Sequence, residues 1–184
     1  MVDLAGRKTA YYSFTGLIEP GGVTRIAAAL NHAVNNLCDD AYLCINSQGG
    51  YVEDGIFLYN HIRGLPIKVI MHNTGSVASI AVTVFIAAEE RYCSQHGTFL
   101  IHPTSMPARE GMTWERLRTS LDAALAEDQR TEDILRQRTT LPDDILSARR
   151  MRDVQIAPQD AVKFGLVSDI REFALPGGQQ IIQV

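Results

Sequence analysis

The residues His72-Asn73-Thr74-Gly75-Ser76-Val77-Ala78-Ser79-Ile80-Ala81 separate two apolar runs of different period, and no other stretch constrains the chain as much. Before them Ile67, Val69 and Met71 alternate with Lys68, Ile70 and His72, which is the period of a strand. After them Val82 to Ala88 is almost wholly apolar and small, without a breaker, as in a buried helix. A strand that turns sharply into a helix puts the first helical residue where free N–H groups and the helix dipole favour a developing negative charge. Ser79 stands at that point, between Ala78 and Ala81, where a serine nucleophile belongs. Taken alone, the same serine also suits an ordinary helix N-cap.

The chain around this turn reads as alternating strands and helices. Tyr11 to Thr15 is a first strand, Pro20-Gly21-Gly22 a turn, and Ile26, Ala27, Leu30, Val34 and Leu37 form one helical face. Ala41 to Asn46 is a buried strand, and a helix from about Glu53 to Arg63 turns Ile56, Tyr59 and Ile62 inward. Tyr92-Cys93 and Thr98 to His102 are short strands, and residues 103–112 a polar loop. A long helix from Thr113 to about Arg138 carries Trp114, Leu117, Leu121 and Leu125 on one side. Helices over 142–150 and 158–164 precede a strand over 166–170, and the tail ends in a short apolar piece. Alternation of this kind predicts an α/β fold with a parallel sheet and crossover helices, in a single domain over residues 1–184.

Composition excludes several classes. A net charge of −4 with no basic stripe argues against nucleic acid. No run approaches the roughly 18 apolar residues of a membrane span, and Met1 to Thr9 lacks the apolar core of a secretory signal. Cys38, Cys44 and Cys93 are widely spaced with no CxxC, which suits a reduced cytoplasm better than a disulfide framework or zinc site.

A serine hydroxyl needs a base and donors for the oxyanion it creates. His32 and His61 fall on helices, His96 in a polar turn, and His72 close before the serine turn. His102 differs: it ends the apolar strand Phe99-Leu100-Ile101 and is followed by Pro103, and strand ends on one edge of a parallel sheet collect active sites. Gly49-Gly50 follows another strand and lets backbone N–H groups approach a ligand; taken alone it suits an ordinary strand-to-helix turn, and it also suits one half of an oxyanion hole with the Ile80 N–H as the other half. Asp153, Asp160 and Asp169 are the carboxylates available to orient a histidine, and spacing alone does not choose among them.

Together these residues resemble the proteolytic subunit of Clp protease, the ClpP family. That family has an Asn-Ser-Pro-Gly-Gly turn, a Gly-x-Ala-Ser-Met nucleophile turn and a Met-Ile-His-Gln-Pro strand end. This chain reads Asn46-Ser47-Gln48-Gly49-Gly50, Gly75 to Ile80, and Leu100-Ile101-His102-Pro103. The run Arg152-Asp153-Val154 to Gly165-Leu166-Val167 looks like the family segment that carries the catalytic Asp, and matches it without a gap at Asp153. The resemblance covers about residues 11–171. It implies the ClpP/crotonase fold of stacked βαβ units, with a projecting handle helix in the region of about 103–138. It implies a serine endopeptidase acting on small or unfolded polypeptides, with catalytic Ser79, His102 and Asp153, an oxyanion hole of Gly50 and Ile80, and no metal or organic cofactor. A ring-shaped homo-oligomer in the cytoplasm and an AAA+ unfoldase partner go with it. Gln48 stands where the family has Pro, Ile80 where it has Met and Cys44 where it has a second Tyr beside Tyr42. Residues 103–109 lack the family's glycine pair. A crotonase-like acyl-CoA enzyme, with Glu53 and Asp54 as the nearest acids, and a non-catalytic ring subunit are the alternative readings.

Overall fold

The structure, a computed structural model, describes residues 6–106 and 110–184. The first five residues of the N-terminal segment, and Pro107, Ala108 and Arg109 of the expected polar loop, lie outside the described residues. The elements in order are β1 (Thr9–Thr15), α1 (Pro20–Asn35), β2 (Asp40–Ser47), α2 (Val52–Gly64), β3 (Lys68–Ala78), α3 (Ile80–Phe85) and β4 (Glu90–Cys93). They continue with β5 (Thr98–Ile101), α4 (Trp114–Arg138), α5 (Asp143–Arg149), β6 (Val154–Ile156), α6 (Pro158–Lys163), β7 (Asp169–Ile170) and β8 (Ile181–Gln183). One sheet runs β6-β5-β3-β2-β1-β8, with β4 beside β3 and β7. Its described pairings are parallel except β5 with β6. This is the mixed α/β architecture that the alternation predicts.

Several boundaries differ from expectation. Pro20-Gly21-Gly22 opens α1 rather than forming a turn, because proline's fixed φ and missing N–H suit the first helical turn. Gly22 is buried there, and a Cβ on it would lie 2.3 Å from the Leu17 carbonyl oxygen. Leu37 leaves the expected apolar face: α1 has already ended, and Leu37 takes φ 54° and is 84% exposed. The strand expected over 166–170 shrinks to β7, while Leu166 and Val167 pack into the core. β6 was not legible as a strand.

The largest difference lies in β3. The sequence places a small-residue turn between this strand and the helix after it; the strand continues to Ala78 and the turn is Ser79 alone. β3 changes neighbour midway, pairing with β4 over Ile70–Asn73 and with β5 over Ser76–Ala78. Its register against β2 shifts between Ile45/Asn73 and Ser47/Val77. Two asparagine side chains satisfy groups near this irregularity. Asn46 Oδ1 accepts from Ser76 N at 3.0 Å, and Asn73 Oδ1 from Gly75 N at 3.0 Å.

α3 is buried along its whole length, so its C-terminal carbonyls cannot turn to water. Val82 O, Val84 O and Phe85 O accept from the Ile86, Ala87 and Ala88 N–H groups, and two arginines take carbonyls at and just beyond the C-cap. Arg138 donates to Ile86 O and Ala88 O at 3.0 and 3.1 Å, and Arg91 donates to Ala88 O at 2.9 Å and Leu166 O at 2.7 Å. Burial and the neighbouring Arg138 and Arg63 lower the Arg91 pKa to about 10. On α4 only Thr131, Glu132 and Leu135 are buried, and Trp114, Leu117, Leu121 and Leu125 all face outward in the single chain. Among the described residues no helix is long and apolar enough to cross a membrane.

Candidate active site

The sheet order brings the expected site residues to one edge. β2, β3, β5 and β6 are consecutive neighbours. The C-terminal ends of the first three lead into Gly49-Gly50, Ser79 and His102. β6 runs antiparallel to β5, so its N-terminal end, preceded by Asp153, lies at the same edge. Its register pairs Ile101 with Val154 and Leu100 with Gln155. Its last pair is Ile101 with Val154, and His102 and Asp153 are the residues immediately beyond that pair on the two segments.

Ser79 takes φ 58° and ψ −133°, outside the wells open to an L-residue. Such a conformation costs on the order of 1–3 kcal/mol and persists only where its surroundings enforce it. Here two elements do so. Ser79 N donates to Leu100 O at 2.8 Å, which ties the serine to the strand that carries His102. On the other side a Cβ at Gly49 (φ +95°) would lie 2.6 Å from Ser79 Cβ and 2.8 Å from Ala78 O. Gly50 is required for another reason: a Cβ there would meet Ile18 O at 2.0 Å. The Ile18 N–H donates to Gly49 O, and the Tyr51 N–H to Ile18 O, both at 2.8 Å, which fixes the glycine turn. Neither the Gly50 N–H nor the Ile80 N–H donates to a protein acceptor among the described residues.

Gly50, Ser79, Ile80 and His102 line one cavity of about 70 Å³. Its remaining wall includes Thr131 and Leu135 from α4 and Arg149 from α5, none of which the sequence had marked. Nothing in the run Ser147-Ala148-Arg149-Arg150 distinguishes a buried arginine from a solvated one. Among the described residues the Ser79 hydroxyl and the His102 ring form no hydrogen bond, and Asp153 is exposed without an ion-pair partner. The loop after His102 is anchored instead by Asp128, which accepts from Thr104 N and Oγ1 at 2.7 and 2.8 Å.

The other histidines lie elsewhere. His72 is wholly buried, its Nδ1 2.7 Å from Tyr42 OH and its Nε2 3.2 Å from Ser94 Oγ. Tyr92 and Phe173 surround it. Burial, with Arg171 nearby, lowers its pKa to about 4, so it is neutral and engaged at both nitrogens. His96 is exposed, and His32 and His61 stay on helices as expected. Asp160 lies in α6 and Asp169 in β7, and of the three carboxylates only Asp153 directly adjoins the β5–β6 pairing that precedes His102.

A family model described as Clp protease matches residues 16–173. The chain is 33% identical over 157 residues to the ATP-dependent Clp protease proteolytic subunit 2 of Pseudomonas aeruginosa, covering 79% of this chain and 75% of that protein. It is 32% identical over 134 residues to proteolytic subunit 3 of Rhizobium meliloti, covering 72% and 68%. Among solved structures, a ClpP1 mutant from Listeria monocytogenes superposes with a TM-score of 0.76 at 22% identity, covering 90% of this chain and 92% of the other.

Proposed function

The chain belongs to the Clp protease family and is a serine endopeptidase, and from that premise we propose that Ser79, His102 and Asp153 form its catalytic triad within a ring of like subunits. Ser79 attacks the carbonyl carbon of a peptide bond while His102 takes its proton. The Gly50 and Ile80 N–H groups donate to the oxyanion of the tetrahedral intermediate. Asp153 holds the imidazole in the required tautomer and offsets its charge. His102 then protonates the departing amine, and the acyl-enzyme forms. Water, deprotonated by the same histidine, attacks the ester and releases the new carboxyl end.

One observation carries this reading: the β3–β5 and β5–β6 registers run the serine, the histidine and the aspartate along adjacent strand ends, beside a glycine turn with an unused N–H. The ring is supported by the stripe Trp114, Leu117, Leu121 and Leu125, each about half exposed or more at helical spacing, which has no cover within one chain. Small or unfolded polypeptides fit a site enclosed in such a ring, and an AAA+ unfoldase partner accords with the ATP-dependent relatives. Three buried free thiols accord with the cytoplasm.

The test is covalent. Assembled protein is treated with a fluorophosphonate and the adduct is mapped by peptide mass spectrometry. Modification confined to Ser79, with loss of peptidase activity in proportion, is the expected result. Activity surviving full treatment, or an adduct on another serine, overturns the assignment.

A further inference from the structure

Among the described residues that line the cavity beside Ser79, Arg149 is the one Lys or Arg, and none is a carboxylate. Its side chain is only 5% exposed. Two hydrogen bonds hold it: Nη2 donates to Thr131 Oγ1 at 2.6 Å, and Nη1 to the Asp128 carbonyl oxygen at 3.4 Å. The Asp128 carboxylate stands 3.5 Å away, and it already accepts two hydrogen bonds from Thr104. A guanidinium carries five N–H donors, more than the three protein oxygens that face it here, Thr131 Oγ1, the Asp128 carbonyl and the Asp128 carboxylate. Both terminal nitrogens are thus held in place while the guanidinium keeps N–H groups to spare for an acceptor in the cavity. The wall is otherwise polar at Thr83 and Thr131, both buried. A cavity built only for an apolar side chain has no need of this arrangement.

Resting on the assignment of Ser79 as nucleophile, we propose that this cavity receives the substrate side chain on the acyl side of the scissile bond, and that Arg149 selects a side chain ending in carbonyl or carboxylate oxygen, glutamine or glutamate. The oxygen accepts from the guanidinium N–H groups not turned toward Thr131 and Asp128, which hold the guanidinium in place. An apolar side chain of equal length leaves those donors buried and unpaired, and sites of that kind discriminate strongly against it.

The test measures kcat/KM on four fluorogenic peptides that differ only in the residue before the scissile bond: Gln, Glu, Leu and Lys. The assembled enzyme is expected to prefer Gln or Glu over Leu by about tenfold or more. The ratio of Gln to Glu separates hydrogen bonding from charge, since a strong preference for Glu means the Asp128 carboxylate leaves the field of Arg149 largely intact. In Arg149→Met the preference over Leu is expected to vanish or reverse. Arg149→Lys, which keeps a partner for Asp128, should retain part of it. Each comparison is a ratio within one preparation, so partial misfolding of a variant cancels. Faster cleavage after Leu in the unmodified enzyme, or a preference unchanged in Arg149→Met, overturns the proposal. Fluorophosphonate labelling separates the two layers: a labelled Ser79 with an apolar preference removes only the role of Arg149, whereas an unlabelled Ser79 removes the active site itself.

Discussion

Replacing Gly49 with Ala tests whether the glycine turn buttresses the nucleophile. The new Cβ would lie 2.6 Å from Ser79 Cβ and 2.8 Å from Ala78 O. Carbon atoms in contact settle at about 3.5–4.0 Å, so one side must yield by about an ångström. The neighbours are the nucleophile's own Cβ and a backbone carbonyl, not the end of a flexible chain, so the displacement falls on Ser79. The φ of +95° adds strain of about 1–3 kcal/mol for any residue with a Cβ. At about 2–4 °C per kcal/mol for a chain of this size, Tm should fall by about 2–12 °C. Activity should fall further than stability. A misplacement of about 1 Å costs about 10² in rate, and loss of alignment of the Gly50 donor costs about 10²–10³. The assay pairs thermal unfolding with kcat on a fluorogenic peptide and the second-order rate of fluorophosphonate labelling. Gly64→Ala serves as control, because a Cβ there meets nothing within 4 Å. A Gly49→Ala protein that cleaves within a few-fold of the parent refutes the reasoning.

Three further predictions follow from other parts of the fold. Burial lowers the His72 pKa to about 4, against an ordinary value of 6.5, so between these values the unfolded chain binds the extra proton. Stability is therefore fully present above pH 6.5 and declines as pH falls toward 4, by up to about 1.4 kcal/mol per pH unit, and urea melts of His72→Gln should lose that slope. Arg91→Met removes a donor from the carbonyls of Gly165 and Leu166, and one of the two at Ala88, and should lower stability by about 2–3 kcal/mol, read as a fall in Tm of about 4–12 °C. Leu121→Glu with Leu125→Glu puts charge on the uncovered stripe of α4, and light scattering should report smaller assemblies while circular dichroism of the chain is unchanged.

The sequence carries the fold wherever local chemistry and tertiary context agree. Strand-helix alternation is visible because β2 is one short apolar run and α2 shows helical spacing. Ser79 and His102 are visible because each interrupts an apolar segment at its end. Spacing alone does not choose Asp153 and only the family resemblance points to it, because β6, which follows it, is three residues long, too short to show a period. Arg149 is hidden for a different reason. Its burial depends on Asp128 and Thr131 of α4, which lie about twenty positions earlier in the chain. The small-residue turn before α3 is shorter than its composition suggests because Asn46 and Asn73 satisfy backbone N–H groups by side chain, which lets β3 continue through its irregularity. The Pro-Gly-Gly stretch misleads because proline opens helices as readily as it makes turns.

The central claim is that Ser79, His102 and Asp153 act as one unit. Groups that act together do not contribute independently, so a mutant cycle tests it directly. Peptidase kcat is measured for Ser79→Ala, His102→Ala and Asp153→Ala, singly and combined. Ser79→Ala and His102→Ala are each expected to lower it by about 10⁴ or more, Asp153→Ala by a large part of that, and the triple variant by little more than Ser79→Ala alone. Losses that multiply across the three positions, or a His102→Ala enzyme that keeps most of its rate, would contradict the account.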